Sequence, residues 1–198
     1  ASEANVLIQG ETGTGKGLVA QALHQQGTRG AQPLLAINCS AFQDQLLESE
    51  LFGHERGSFT GAVAAKPGLF EVADRGTLLL DEVAEMSPAM QAKLLQVLDA
   101  GELRRVGGTR THRVNVRVLA ATNKDLAQEV SASRFREDLY YRLNVVNVTL
   151  PPLRERQEDI PILIEHFLTK FRLPGQKMKV VAPEVLERFV HYGWPGNI

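Results

Sequence analysis

Two short stretches hold the residues whose types and spacing could do chemistry. Gly10-Glu11-Thr12-Gly13-Thr14-Gly15-Lys16 directly follows the apolar run Val6 to Gln9 and precedes a helical pattern. Glycines at this spacing let the backbone wrap closely enough for its N–H groups to face phosphate oxygens. The helix N-terminus that follows adds positive potential, and Lys16 reaches the terminal phosphates. Chance supplies such a glycine-glycine-lysine pattern in roughly one in 20 chains of this length, and rarely with a strand before it and a helix after it. Gly10 to Leu18 is therefore expected to bind the phosphates of a nucleotide. Position 17 departs from the general pattern: Gly17 stands where a Ser or Thr hydroxyl ordinarily reaches magnesium. Metal ligation must then come from elsewhere, with water filling the coordination shell.

The second stretch is Gly76-Thr77-Leu78-Leu79-Leu80-Asp81-Glu82, an apolar strand that ends in two adjacent carboxylates. Asp81 is placed to hold Mg2+, directly or through water, and Glu82 to orient and deprotonate an attacking water. A kinase that moves phosphate onto a bound hydroxyl has no need of that second acid, so the pair favours hydrolysis over transfer. The bland reading of both acids is helix capping, which the neighbouring phosphate loop makes the weaker one. Other chemistries do not assemble: His24, His54, His112, His166 and His191 lack metal-ligand spacing, and no Gly-x-Ser-x-Gly elbow offers a nucleophile.

Positioning these residues calls for a particular set of elements. The runs Val6 to Gln9, Leu34 to Ile37, Thr77 to Leu80, Val116 to Ala121 and Val145 to Leu150 are near-continuously apolar, as strands buried on both faces should be. Helical patterns lie between them over Gly17 to Gln26, Gln43 to Leu51, Ala89 to Leu98 and Arg136 to Leu143, which together predict βαβ units and a mainly parallel sheet. Leu150-Pro151-Pro152 breaks the alternation, and helices are predicted over Asp159 to Phe171 and Pro183 to Tyr192. The expected organisation is an α/β core over residues 1–152 and a small helical subdomain over 153–198.

With 198 residues the chain can bury a sizeable core. Its 22 Lys and Arg against 23 Asp and Glu leave a net charge of −1, which argues against a domain that coats nucleic acid. No apolar run approaches the length of a membrane span. Ala1 to Asn5 lacks the pattern of a signal peptide, and the one cysteine, Cys39, cannot form an internal disulfide and reads as a small buried hydrophobe. These features together lead us to expect a cytoplasmic protein.

Over nearly its whole length the sequence resembles the AAA+ ATPase domain of bacterial enhancer-binding proteins, the NtrC-like activators of sigma-54 RNA polymerase. Gly57-Ser58-Phe59-Thr60-Gly61-Ala62 matches the family's GAFTGA loop except for Ser at its second position, and Glu50-Leu51-Phe52-Gly53-His54-Glu55 before it is also typical. The resemblance implies that this loop engages sigma-54. Phe59 on a glycine-flanked tip would suit that role; the alternative is a hinge loop with Phe59 folded back onto the core.

Further residues carry over singly. Asn38 matches the asparagine that restrains the catalytic glutamate, here Glu82, and otherwise reads as a turn residue. Asn123 matches the sensor of the terminal phosphate, and otherwise reads as a helix cap. Arg136 and Arg142 match the family's arginine fingers; six residues apart on an ideal helix, they are separated by about 240° and do not share a face. Arg104, Arg105, Arg110 and Arg113, with Gly107 and Gly108, resemble a second pore loop, or else form a charged solvated hairpin. The family usually has Glu where Gly17 stands. By the same resemblance the chain lacks the adenine-contacting segment before the first strand, the second-sensor arginine after Ile198, and the regulatory and DNA-binding domains.

The combined expectation is a five-stranded, mainly parallel AAA+ core with a helical lid, binding ATP and Mg2+ in a homo-oligomeric ring of six or seven. It would hydrolyse ATP to remodel sigma-54 RNA polymerase, contacting DNA only through a separate domain and no membrane. Two rivals are a nucleotide-binding regulatory module with little turnover, motivated by Gly17, and a P-loop kinase, disfavoured by Glu82 and the GSFTGA loop.

Overall fold

The computed structural model describes residues 2–173 and 179–198, so Ala1 lies outside the described residues. The chain divides into two compact units, Ala1–Gln9 with Lys16–Thr149, and Gly10–Gly15 with Leu150–Ile198.

The first unit runs through β1 (Val6–Gln9), α1 (Lys16–Gln25), β2 (Leu34–Asn38), α2 (Asp44–Phe52), β3 (Gly53–His54) and β4 (Lys66–Pro67). It continues through α3 (Leu69–Val72), β5 (Thr77–Asp81), α4 (Pro88–Ala100), β6 (Glu102–Arg104), β7 (Thr111–Arg113) and β8 (Arg117–Thr122). It closes with α5 (Leu126–Ser131), α6 (Glu137–Leu143) and β9 (Val146–Thr149). Five strands form one sheet in the order β2-β5-β8-β1-β9, and every neighbouring pair is parallel. This is the mainly parallel α/β architecture that the apolar runs require. All five carboxyl ends therefore open on one edge, where ligands of open parallel sheets bind. The register sets Asn38 opposite Asp81 and Gln9 opposite both Thr122 and Thr149; because Leu80 pairs with Ala120, these two rows of strand ends are offset by one residue.

Apolar side chains go to both faces of this sheet. Leu7, Leu78, Leu80, Val118 and Ala120 join one core with Phe52, Phe70, Met90, Leu94 and Leu139. The alternating residues Val6, Ile8, Leu79, Leu119 and Ala121 are buried as well and point the opposite way, toward the side that α1 covers through Ala20. Each fully buried leucine contributes about 1.5–3 kcal/mol of transfer free energy, which is why these strands read as solid apolar runs. Helix α4 begins at the Ser87 N-cap with Pro88 in its first turn and ends at Gly101, whose φ of 65° suits a left-handed cap.

The second unit contains α7 (Asp159–Lys170) and α8 (Pro183–His191), which pack on each other. Trp194 donates its indole N–H to Phe189 O at 2.8 Å and opens a tight turn that ends at Asn197, both residues having positive φ. Among the described residues no helix is long and apolar enough to cross a membrane.

Candidate functional site

Within the second unit, the segment Gly10–Gly15 is a turn closed by Thr14, whose hydroxyl donates to Glu11 O at 2.8 Å. Gly13 has φ 81° and Gly15 φ 97°, values that side chains resist. A Cβ on Gly13 would also lie 2.1 Å from Gly196 O, so two peptides meet there with no room for a side chain. Arg154 binds Glu11 through both terminal nitrogens, at 2.9 and 2.7 Å, and Asn197 Nδ2 donates to the same carboxylate at 3.2 Å.

These bonds hold the Glu11 carboxyl well below its usual 4.5, at about 2. A depressed carboxylate contributes stability that is fully present above its unfolded pKa and is lost as pH falls through the folded one. Lowering pH from 4.5 toward 2 is therefore expected to destabilise the unaltered chain more steeply than a Glu11→Gln variant, read from urea midpoints across that window. Parallel curves would mean that the ion pair adds nothing. The half-exposed setting of both side chains keeps the difference small.

In the first unit, Lys16 begins α1 with its side chain 7% exposed and its ammonium 4.0 Å from Glu82 Oε1. Gly17 and Leu18 follow in the first turn. A Cβ on Gly17 would meet nothing within 4 Å, so no crowding dictates glycine there. The first turn of α1 carries no acid, and the positive end of a helix of this kind favours an anion.

Asp81 ends β5 and its Oδ1 accepts the Glu82 N–H at 3.0 Å. Glu82 sits at φ 52°, ψ 46°, a left-handed conformation that costs a non-glycine residue about 1–3 kcal/mol and collects at functional sites. The turn aims its carboxylate between Lys16 and the backbone N–H of Asn123, which donates to Oε2 at 3.2 Å. Lys16, Asp81, Glu82 and Asn123 thus gather at one edge of the sheet. Asn123 is not the cap of the next helix: Asp125 fills that role, accepting from Ala127 N and Gln128 N. Asn38 lies beside Asp81 in register, and its Oδ1 is taken by the Ser40 N–H and hydroxyl at 2.9 and 2.7 Å.

Directly beneath these acids lies Cys39, 3% exposed. Burial, reinforced by the charges of Asp81 and Glu82, pushes its thiol up to about 12, so it remains an unreactive thiol.

Arg136 and Arg142 do not both lie on one helix, so the expected separation of about 240° does not apply. Arg136 is the N-cap of α6, with φ −74° and ψ 134°, so it precedes the helix on which the 240° separation was reckoned. Its guanidinium binds Asp138 through two bonds of 3.0 and 2.7 Å. Arg142, in the last turn of α6, donates to Leu98 O and pairs with Asp99 at the end of α4. Sequence reasoning missed what seats this segment. Gln91, 1% exposed on the buried face of α4, donates to Met86 O and Arg134 O and accepts the Arg136 N–H at 2.9 Å. The available signal was an amide among the apolar positions Met90, Leu94 and Val97.

The Gly57–Ala62 loop is pinched at its neck, where Gly57 N donates to Ala62 O at 2.8 Å. Phe59 is half-buried and packs edge-on against the His54 ring, with centroids 5.0 Å apart, while Thr60 and Gly61 are exposed. The tip thus presents Thr60 more than the aromatic ring. The stem is tied to the 102–113 hairpin by Glu55 N to Val106 O at 3.0 Å and Val106 N to Gly53 O at 2.9 Å. Arg105 adds a bidentate pair with Glu71 and a bond to Glu55, and Arg113 pairs with Glu102. The basic charge expected of this hairpin is in these two arginines consumed by carboxylates of the same unit. Ser58 Oγ, packed over Gly107, is buried without a partner, at a cost of about 1–3 kcal/mol.

A family model described as the sigma-54 interaction domain matches residues 1–149, and one described as an AAA+ ATPase lid domain matches residues 154–198. The transcriptional regulatory protein ZraR of Salmonella typhimurium (strain LT2) is 54% identical over 198 residues, covering 100% of this chain and 45% of that protein. The anaerobic nitric oxide reductase transcription regulator NorR of Salmonella paratyphi C is 54% identical over 198 residues, covering 100% of this chain and 39% of that protein. A crystal structure of NtrX from Brucella abortus in complex with ATP superposes with a TM-score of 0.89 at 38% identity, over 99% of this chain and 44% of that one. The chain spans less than half the length of these relatives.

Proposed function

The chain belongs to the family of sigma-54 interaction domains, and from that premise we propose that it is an ATP-hydrolysing domain that works as a ring to remodel sigma-54 RNA polymerase. The observation that carries the reading is Glu82, held in a strained turn between the Lys16 ammonium and the Asn123 N–H. In this reading the Gly10–Gly15 backbone and the first turn of α1 bind the phosphates of ATP, as NtrX binds ATP. Lys16 meets the terminal phosphate, and Glu82, released from Lys16 by that phosphate, orients a water and takes its proton. Asn123, whose N–H holds Glu82, would sense the terminal phosphate and the water together. Asn38, one strand away, would restrain Glu82 by donating from Nδ2, with its Oδ1 anchored by Ser40.

The donor set fits magnesium brought in with the nucleotide. Asp81 is a single strand-end carboxylate with one oxygen engaged, position 17 offers no hydroxyl, and no group of three metal-binding side chains occurs among the described residues. An ion held by Asp81, the phosphates and its own waters is the ordinary magnesium arrangement, and it would neutralise charge on the transferring phosphate. Arg136 or Arg142, presented to a neighbouring subunit, would complete the site, and a ring of six or seven closes through one heterologous interface. The Gly57–Ala62 loop, with Thr60 at its tip, is the piece offered to sigma-54; DNA contact belongs to another part of the longer protein.

ATP turnover per subunit is expected to rise with protein concentration, because an isolated subunit lacks the neighbour's arginine. Phosphate release followed across a wide concentration range checks this. Nucleotide binding with no turnover at any concentration would reduce the domain to a reporting module. A Gly17→Glu variant, which the open space at Gly17 accommodates, would then tell whether that residue is responsible.

A further inference from the structure

The carbonyls of three consecutive loop residues are all claimed by donors from the far end of the chain. Asn197 Nδ2 donates to Thr12 O at 2.9 Å, the Ile198 N–H donates to Gly13 O at 3.1 Å, and an Arg156 terminal nitrogen donates to Thr14 O at 2.8 Å. All of these residues belong to the second unit. In a trans peptide the carbonyl of one residue and the N–H of the next point in opposite directions, and the described chain has no cis peptide. Fixing each carbonyl therefore fixes the next N–H away from its donor: those of Gly13 and Gly15 are set opposite Asn197 and Arg156, while the Thr14 N–H turns back to Glu11 O at 3.3 Å.

Asn197 is built for this task. It is 5% exposed and held at φ 62°, and its Oδ1 accepts the buried Leu153 N–H at 2.7 Å while its Nδ2 faces the loop. Gly196 makes the approach possible by letting its carbonyl lie against Gly13.

We propose that Asn197, seconded by Arg156, is a positioning residue that presets the Gly10–Gly15 backbone as an anion cradle, so that phosphate affinity depends on the docking of the Trp194–Asn197 turn. This deepens the ATP-binding reading and rests on it. Phosphate-loop affinity thereby becomes a property that the helical segment after residue 150 can switch, through an amide that never touches the nucleotide.

The test is Asn197→Asp. It retains an oxygen for Leu153 N–H, so the turn can fold, but it places an acceptor against Thr12 O and a charge beside Glu11. Binding is read with inorganic tripolyphosphate, which needs only the cradle, and with a fluorescent ATP analogue plus magnesium. The expected result is affinity for both probes weakened by about tenfold or more in the folded fraction itself, beyond what the lowered melting temperature from the new carboxylate beside Glu11 accounts for. Adding Glu11→Gln removes the repulsion and supplies an amide donor for the new carboxylate, and is expected to restore part of the affinity. Asn197→Ala, which also abandons Leu153 N–H, is expected to lower the melting temperature as well. If Asn197→Asp binds both probes as tightly as the unaltered chain, or loses melting temperature while its folded fraction binds normally, the positioning role is overturned. If the unaltered chain binds neither probe, the ATP-binding reading itself falls, and the proposal with it.

Discussion

Glu82→Gln is expected to lower ATP turnover by about 10²–10⁴-fold while leaving nucleotide bound at least as tightly. The amide is isosteric and can still accept the Asn123 N–H that holds Glu82 at 3.2 Å, so the geometry survives and only the capacity to take a proton is lost. Affinity should hold or rise for an electrostatic reason. Lys16 and Glu82 are 4.0 Å apart with side chains 7% and 17% exposed, a setting in which unit charges attract by a few kcal/mol before desolvation is counted. Neutralising Glu82 removes one carboxylate that competes with phosphate for the ammonium. Phosphate release and titration with a fluorescent ATP analogue measure the two quantities separately. Turnover within tenfold of the unaltered chain would remove Glu82 from the chemistry.

The second large effect concerns the arginines. A guanidinium donated across a subunit boundary is worth about 10³–10⁵ in turnover, so Arg136→Ala or Arg142→Ala should silence the ring as completely as Glu82→Gln does. Two silent chains should nevertheless rescue each other. In a mixture, a chain with intact Glu82 can receive the missing arginine from a Glu82→Gln neighbour, and random assembly of equal amounts makes about a quarter of all interfaces complete. Recovery to that level with one arginine variant identifies the residue that acts across the boundary. An arginine that serves its own subunit gives no recovery, and failure of both mixtures would mean that the site is not shared. In the present structure the competing contacts are exposed pairs, Arg136 with Asp138 and Arg142 with Asp99, which cost little to exchange.

The strands that carry the acids were legible because burial on both faces leaves solid apolar runs such as Leu78 to Leu80. The phosphate loop was legible because its chemistry needs particular residues at particular spacing. Short elements were not: β3 and β4 have two residues each, too few for a period, and α3 and α5 have four and six. Gln91 escaped because a helix pattern is read from its apolar positions, and a buried amide between Met90 and Leu94 looks like a lapse in the pattern. The bonds from Asn197 and Arg156 to the loop were beyond any local reading, since they join an amide and a guanidinium to peptide carbonyls at opposite ends of the chain.

The ties between the Gly53–Ala62 segment and the 102–113 hairpin bear on how such a domain can vary. The links Glu55 N to Val106 O and Val106 N to Gly53 O are made by peptide groups, so no substitution other than proline at 55 or 106 deletes them. Loop and hairpin form a single lever whatever residues decorate its ends. Exposed Thr60 can be substituted at little cost to the fold, but Gly61 at φ 104° resists a side chain, and positions 58 and 107 are bound to each other. A Cβ on Gly107 would fall 2.7 Å from Ser58 Cβ, and Gly107 has φ 73°. A larger residue at either position must be matched by retreat at the other, so these two sites are expected to change together or not at all.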